Sequence, residues 1–329
     1  MYPIKFNNIL KYRLWGGDSI FTKLHRKNDT SYNIVGESWD ISDRTEDQSI
    51  VINGSLQGLS LQDLRKKYGK SLFGSNFDTS KPFPILVKVL DAKEDLSLQV
   101  HPKKDDIPKL QGNPQSKSEF WYILDNEKDA KIMAGLKENT AIATDKFKND
   151  FIENLSSYNL LNFINITDSK KDRLIYVESG TIHAIGAGNL ILEIQENSDT
   201  TYRVSDWGRL DTEGNPRQLH IAESLECIDF KNPQQPKIID VDLKKNYQVV
   251  NSQYFTTNNY AIEKEFNFST TEESCCLLSL VNGEITVGNT KETISLSKAD
   301  TVLLPAKEDF KIINRSNVLA NILITTPKY

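Results

Sequence analysis

Apolar and polar residues alternate with a period of two along much of the chain, the signature of half-buried β-strands. Leu96, Leu98 and Val100 alternate with Ser97, Gln99 and His101, so Gln99 and His101 share one face. The aromatic-rich run from Lys117 to Leu124 predicts another strand, with Lys117 and Glu119 on a common face. A short strand around His183 ends in a glycine turn, and in the run from Leu190 to Glu196 the residues Glu193 and Gln195 oppose Leu192 and Ile194. The strongly apolar run from Phe83 to Asp91 carries Lys88 at its middle. Helical spacing occurs in two places. Leu61, Leu64 and Tyr68 follow a capping Ser60 and precede Gly69, which predicts a surface helix. Between about 139 and 166, Ala141, Ile142, Phe147, Phe151, Ile152, Leu155, Leu160, Leu161 and Phe163 predict a helical insertion. Beyond Pro233-Gln234-Gln235-Pro236, short alternating segments separated by turn residues predict an all-β sandwich or jelly roll. The fold class expected is mainly β, with one domain over residues 1–235 and a smaller one over 236–329.

A length of 329 residues exceeds what one core comfortably supports, which agrees with two domains. The 40 basic and 45 acidic residues give a net charge of -5, which argues against nucleic acid and against a membrane surface as partners. The opening Met1-Tyr2-Pro3-Ile4-Lys5-Phe6 has no charged stretch leading into an apolar one, and no run approaches 18 apolar residues. Cys227, Cys275 and Cys276 form no CxxC pair, so a reducing, cytoplasmic setting is expected and cysteine is set aside as a metal ligand. The segment after residue 236 contains none of the four histidines, which rules out an imidazole-based site there.

Two histidines, a glutamate and a glutamine, each on a predicted strand, have the makings of a divalent-metal site: His101, His183, Glu119 and Gln99. The plainer reading is that each imidazole is a core residue satisfied by ordinary hydrogen bonds. Zinc suits mixed nitrogen and oxygen donors at an open site, and manganese or iron tolerates the same set. Arg203 and Arg209 have a spacing that can hold an anion. Lys88 either snorkels at a sheet edge or is paired inside a site. Trp15 and Trp39, each next to glycine or acidic residues, plug a β core or rim the site.

The run from Leu90 to Pro102, Lys117-Ser118-Glu119, Gly180-Thr181-Ile182-His183-Ala184, and Gln195-Glu196-Asn197-Ser198-Asp199 leading to Arg203 together resemble the type I mannose-6-phosphate isomerases, in their short bacterial form. Trp15-Gly16-Gly17 and Glu37-Ser38-Trp39 resemble that family's N-terminal signature, and the likeness covers roughly residues 1 to 230. The resemblance implies a cupin catalytic domain followed by a small cupin-like domain. It implies one zinc ion on His101, Glu119 and His183 with Gln99 as fourth protein ligand, and Arg203 as catalytic arginine. Arg209 and Lys88 are substrate-binding candidates, and the proton-transfer base is left open among Lys117, Glu193 and a metal-bound water. The reaction implied interconverts mannose 6-phosphate and fructose 6-phosphate through a cis-enediolate, in a monomer or homodimer. Ile182, Ile185 and Ser118 depart from the pattern of many members, where proline, tyrosine and proline stand. Two rival readings are a cupin oxygenase using redox-active iron, which has no need of the arginines, and a non-catalytic sugar-phosphate sensor, which has no need of intact ligands.

Overall fold

The computed structural model describes residues 1–137, 145–155 and 158–329, and is mainly β as expected. Contacts divide the chain into two units that are not contiguous in sequence. One comprises residues 1–11, 18–89 and 239–329; the other comprises residues 12–17 and 90–238. This division and the linear one at residue 235 share a break near 238, and part company over residues 1–11 and 18–89.

In the second unit, one five-stranded sheet has the spatial order Ile164–Asp168, Lys131–Leu136, His183–Ile185, Leu98–Val100, Tyr202–Ser205. The strand Glu119–Asn126 lies between Arg173–Val177 and Asn189–Glu196, antiparallel to both. Leu98, Val100, Ile182 and Ala184 belong to a core cluster with Phe151, Cys227 and Phe230 on one face of the five-stranded sheet. Trp121, Ile123, Ile132, Ala134, Ile175, Ile185 and Ile191 form a second cluster with residues from both sheets. Because successive side chains alternate faces, burying Leu98 and Val100 under Phe151 turns Gln99 toward the opposite sheet. The same constraint turns His183 inward between Ile182 and Ala184.

In the first unit, the six-stranded sheet has the order Ile4–Lys5, Thr301–Leu304, Cys276–Asn282, Ala320–Pro327, Phe255–Ile262, Tyr247–Asn251. A four-stranded sheet runs Glu265–Ser269, Asp309–Asn314, Ile285–Gly288, Thr293–Leu296. Leu278, Leu280, Val302, Ile322 and Ile324 of the first sheet pack with Ile285, Val287, Phe310 and Ile312 of the second. The surface helix forms at Leu61–Tyr68, and its Ser60 and Asp63 exchange the two hydrogen bonds of a capping box.

The helical insertion is shorter than its spacing predicts. Helices occupy Asp145–Glu153 and, as a 3-10 turn, Tyr158–Phe163. Ile164–Asp168 is instead a strand paired with Lys131–Leu136, so the far end of the insertion belongs to the sheet. The helical spacing ends with Phe163, and from Ile164 pairing with a strand some thirty residues earlier takes over. Ala141 and Ile142 lie outside the described residues.

Candidate metal centre

His101, Glu119 and His183 converge in the second unit, each essentially fully buried, with ligand atoms within 4.8 Å of one another. Glu119 opens its strand opposite Val177 on one side and Gln195 on the other. His183 sits between Gln99 and Ala134 in the facing sheet. His101 follows directly after the Leu98–Val100 strand.

The imidazoles are held in matching tautomers. His101 Nδ1 lies 2.8 Å from the carbonyl oxygen of Thr200, and His183 Nδ1 lies 2.8 Å from that of Thr181. A carbonyl only accepts, so each Nδ1 carries the proton and each Nε2 keeps its lone pair. Those lone pairs face Glu119: His183 Nε2 is 3.4 Å from Oε1 and His101 Nε2 is 3.8 Å from Oε2. Neither Glu119 oxygen has an aligned hydrogen-bond donor, although Lys117 Nζ pairs ionically with Oε2 at 2.6 Å. Two unprotonated imidazole nitrogens and a buried carboxylate short of donors fit a divalent cation in chemistry and in number.

Electrostatics keeps the donors in their ligating forms. Burial, and then the Lys117 ammonium, push His101 down to about 3, and burial likewise lowers His183 against the pull of Glu119. Burial alone would raise Glu119, but Lys117 outweighs it and, with the imidazoles, holds the carboxyl well below the usual range. Lys117 is shifted the other way: burial lowers it, while Glu119 and then Glu193 more than reverse that. Lys117 Nζ also lies 3.3 Å from His101 Nε2.

Of the other candidates, Gln99 reaches this core directly. Gln99 is half-buried, its amide nitrogen 3.2 Å from His183 Nε2. Glu193, on the same face as Gln195, accepts a hydrogen bond from Trp121 Nε1 at 3.1 Å, and Trp121 stands edge-on to His183 with ring centroids 5.3 Å apart. Arg203 lies in register with Gln99 and donates from Nη1 to the carbonyl oxygen of Gln218 at 2.7 Å. Burial and then the nearby Arg217 lower its pKa. Arg209 donates from Nη2 to Asp206 Oδ1 at 2.8 Å, and Arg217 grips the same carboxylate with Nε at 2.7 Å and with Nη2. Lys88 belongs to the other unit, where it is buried with its ammonium 4.9 Å from the Trp39 ring centroid.

Arg217 and Asp206 were not picked out by sequence reasoning. No local pattern ties residue 217 to residue 203; what joins them is a loop in which Trp207 (φ 58°) and Gly208 (φ 72°) both take left-handed backbone. The Trp207 indole donates to the Leu96 carbonyl oxygen at 2.7 Å, fastening this arginine loop to the segment that leads into Gln99 and His101. A bulky residue held at positive φ is uncommon, and this one is locked by its own side chain.

Residues 4–153 match the family model for the phosphomannose isomerase type I catalytic domain, and residues 245–315 match that for the mannose-6-phosphate isomerase cupin domain. The Bacillus subtilis (strain 168) protein GmuF, named as a probable mannose-6-phosphate isomerase, is 34% identical over 313 residues, covering 93% of this chain and 94% of its own. Mannose-6-phosphate isomerase ManA of the same organism is 32% identical over 311 residues, covering 92% and 93%. The crystal structure of the Bacillus subtilis mannose 6-phosphate isomerase superposes with a TM-score of 0.81 over 99% of both chains, at 27% identity. No described helix is long and apolar enough to cross a membrane. On this sequence likeness and this cupin fold, the chain belongs to the type I mannose-6-phosphate isomerase family, a family of isomerases.

Proposed function

We propose that the chain interconverts mannose 6-phosphate and fructose 6-phosphate at a zinc ion bound by His101, Glu119 and His183, with Gln99 as fourth protein ligand once its amide turns over, since its nitrogen rather than its oxygen meets His183 Nε2. The observation that carries this reading is the pair of imidazoles whose Nδ1 atoms are tied to backbone carbonyls, leaving both Nε2 atoms turned on the same buried carboxylate. A crystal structure of a mannose 6-phosphate isomerase bound with zinc and yttrium, 15% identical to this chain at a TM-score of 0.74, supports zinc as the metal. When bound, the zinc supplies a Lewis acid for the sugar oxygens and for the negative charge that develops on them.

The chain's own groups supply the rest. In the aldose-to-ketose direction, a base removes the C2 proton and returns a proton to C1, while a hydroxyl proton passes from O2 to O1. Glu193 is the base in this reading: its carboxylate lies on the inner face and is oriented by the Trp121 indole. Lys117, ion-paired with Glu119, supplies positive charge beside the enediolate and is the ammonium placed to hand the hydroxyl proton between the sugar oxygens. Arg203, in register with Gln99, takes the sugar end of the substrate. Arg209 and Arg217 share the Asp206 carboxylate, Arg209 also lying 3.6 Å from Glu94 Oε2, and the two guanidiniums take the phosphate. The intact donor set disfavours the sensor reading, and the arginine loop disfavours the oxygenase.

The test is a coupled assay for fructose 6-phosphate formed from mannose 6-phosphate, on protein stripped of metal and then given zinc, beside His101→Ala. Activity should vanish with the metal, return with zinc and be missing in the variant. A folded protein inactive with zinc, manganese, cobalt and iron would sink the assignment.

A further inference from the structure

Gln195 is fully buried and pairs across the sheet with Glu119. Its Nε2 donates to the carbonyl oxygen of Glu196 at 2.9 Å and to that of Ser198 at 2.6 Å. Both acceptors are backbone carbonyls, so they fix which end of the amide is nitrogen and consume both of its hydrogens. Its Oε1, equally buried, has no hydrogen-bond partner. The side chain is therefore held in place for its two donors.

Those donors brace a turn at residues 196–200. Within it, Ser198 N–H donates to the Glu196 carbonyl at 2.7 Å and Thr200 N–H to Ser198 Oγ at 3.2 Å. Ser198 Oγ in turn donates to the Gln115 carbonyl at 3.2 Å, and Gln115 N–H to Thr200 Oγ1 at 3.0 Å. The carbonyl at the end of the turn, that of Thr200, accepts the His101 Nδ1 proton. His101 and His183 differ here. His183 is anchored by the carbonyl of Thr181, two residues away on its own segment, whereas His101 depends on a carbonyl from a turn 99 residues distant.

We infer that Gln195 is a positioning residue for the metal ligand His101: by bracing residues 196–200 it places the Thr200 carbonyl that sets the His101 tautomer and ring orientation. Glu196 supports the same turn from outside, accepting from Ser118 N–H at 2.8 Å and Ser116 Oγ at 3.0 Å, so loss of Gln195 weakens the brace without abolishing it. The inference rests on the zinc reading of this site, and the experiment separates the two.

Gln195→Met keeps the length of the side chain and removes both donors; Gln195→Glu keeps its shape and sets a carboxylate against two carbonyls. Zinc affinity, measured by competition with a chromogenic chelator, should fall about 10- to 100-fold in both, the range usual for partners that orient a metal-bound histidine. In the His101→Ala background, Gln195→Met should cause no further loss, since the group it positions is gone. Long-range proton–nitrogen spectra of the metal-free protein should show His101 protonated at Nδ1 in the wild type and a mixture of tautomers in Gln195→Met. Thermal melts of the metal-free variants confirm that each is folded. Wild-type zinc affinity in Gln195→Met, or an equal loss with and without His101, would overturn the inference. A wild type that binds no zinc would overturn the zinc reading, and an unchanged His101 tautomer in Gln195→Met would then overturn the brace by itself.

Discussion

The two units bury polar groups in different ways. In the first unit several of them close on each other in pairs. Thr257 and Thr325 hydroxyls meet at 2.9 Å, and those of Ser279 and Thr301 at 2.8 Å, each pair across neighbouring strands of the six-stranded sheet. Buried charges there are matched as well: Arg26 grips Asp40 with both guanidinium nitrogens at 2.6 and 2.7 Å, and Arg65 pairs with Asp43 at 3.0 Å. In the second unit the charges are left open. Glu119 faces one lysine and two neutral imidazoles, its oxygens short of aligned donors, with Nε2 lone pairs turned toward it. Both interiors are β sandwiches of tight apolar packing, so architecture alone does not separate a scaffold from a site. Buried oxygens without hydrogen-bond partners occur in the first unit too, at Ser42, Asn259 and Asn321, so what separates the site is convergence: two imidazoles and a carboxylate meet with ligand atoms within 4.8 Å of one another.

The strongest way to break this contrast is Glu119→Gln. The substitution removes a metal ligand and strands the Lys117 ammonium among buried groups. Turnover of mannose 6-phosphate should fall on the order of 10^3-fold or more. The metal-free protein should lose about 3–5 kcal/mol, as expected when one member of a buried ion pair is neutralised. Steady-state kinetics with zinc and a denaturant melt without it read the two effects. A variant with near-normal turnover would place the chemistry elsewhere in the chain.

A smaller effect is expected at the rim, where the charges are half solvated. Arg217→Ala removes one of two guanidiniums from the Asp206 carboxylate and from the phosphate subsite proposed above. Each charge-assisted hydrogen bond contributes about 1.5–3 kcal/mol, so KM for the sugar phosphate should rise roughly 10- to 100-fold with kcat little changed. Inhibition by inorganic phosphate should weaken in parallel. A fall in kcat at constant KM would move Arg217 from the phosphate to the reacting carbons.

How far each region was legible in the sequence follows from the same physics. Gln99, Glu119 and His183 stand out because strand alternation is strict where one face is sealed: burying Leu98 and Val100 leaves Gln99 one direction to point. Arg217 and Asp206 do not stand out, since their meeting depends on the left-handed turn at Trp207 and Gly208 and on an indole bonded to Leu96. The Ile164–Asp168 strand was hidden because its partner is remote and one of its two outward residues, Ile166, is itself apolar. The grouping of residues 18–89 with 239–329 was hidden for a like reason, being a matter of long-range pairing such as Arg26 to the Ala299 carbonyl. Period-two patterns report which face is covered and are silent on what covers it.

The closed pairs of the first unit offer the reverse test. Thr257→Val leaves the Thr325 hydroxyl buried and partnerless, which should cost about 1–3 kcal/mol. Thr257→Val with Thr325→Val removes both hydroxyls and should recover most of that loss, giving a measurable coupling energy in chemical denaturation. Turnover should be untouched in the single and the double variant. A fall in kcat would mean that this sheet does more than support.

The smallest expected effect concerns acidity at the edge of the site. His220 Nδ1 accepts the backbone N–H of Arg203 at 3.2 Å, so the ring is neutral with Nδ1 unprotonated. Burial, and then the Arg203 guanidinium, hold its pKa below the ordinary 6.5. The unfolded chain therefore takes up this proton at higher pH than the folded one. The stability that neutral His220 contributes is complete above about 6.5 and is lost as pH falls from there through the folded pKa. His220→Gln retains an acceptor and cannot titrate. Melting temperatures taken from pH 7.5 down to 5 should decline less steeply in the variant than in the wild type, the remaining histidines being common to both. Parallel declines would show that the proton enters His220 without disturbing Arg203. That outcome would uncouple the arginine from its backbone anchor, leaving the Gln218 carbonyl as the contact that aims it.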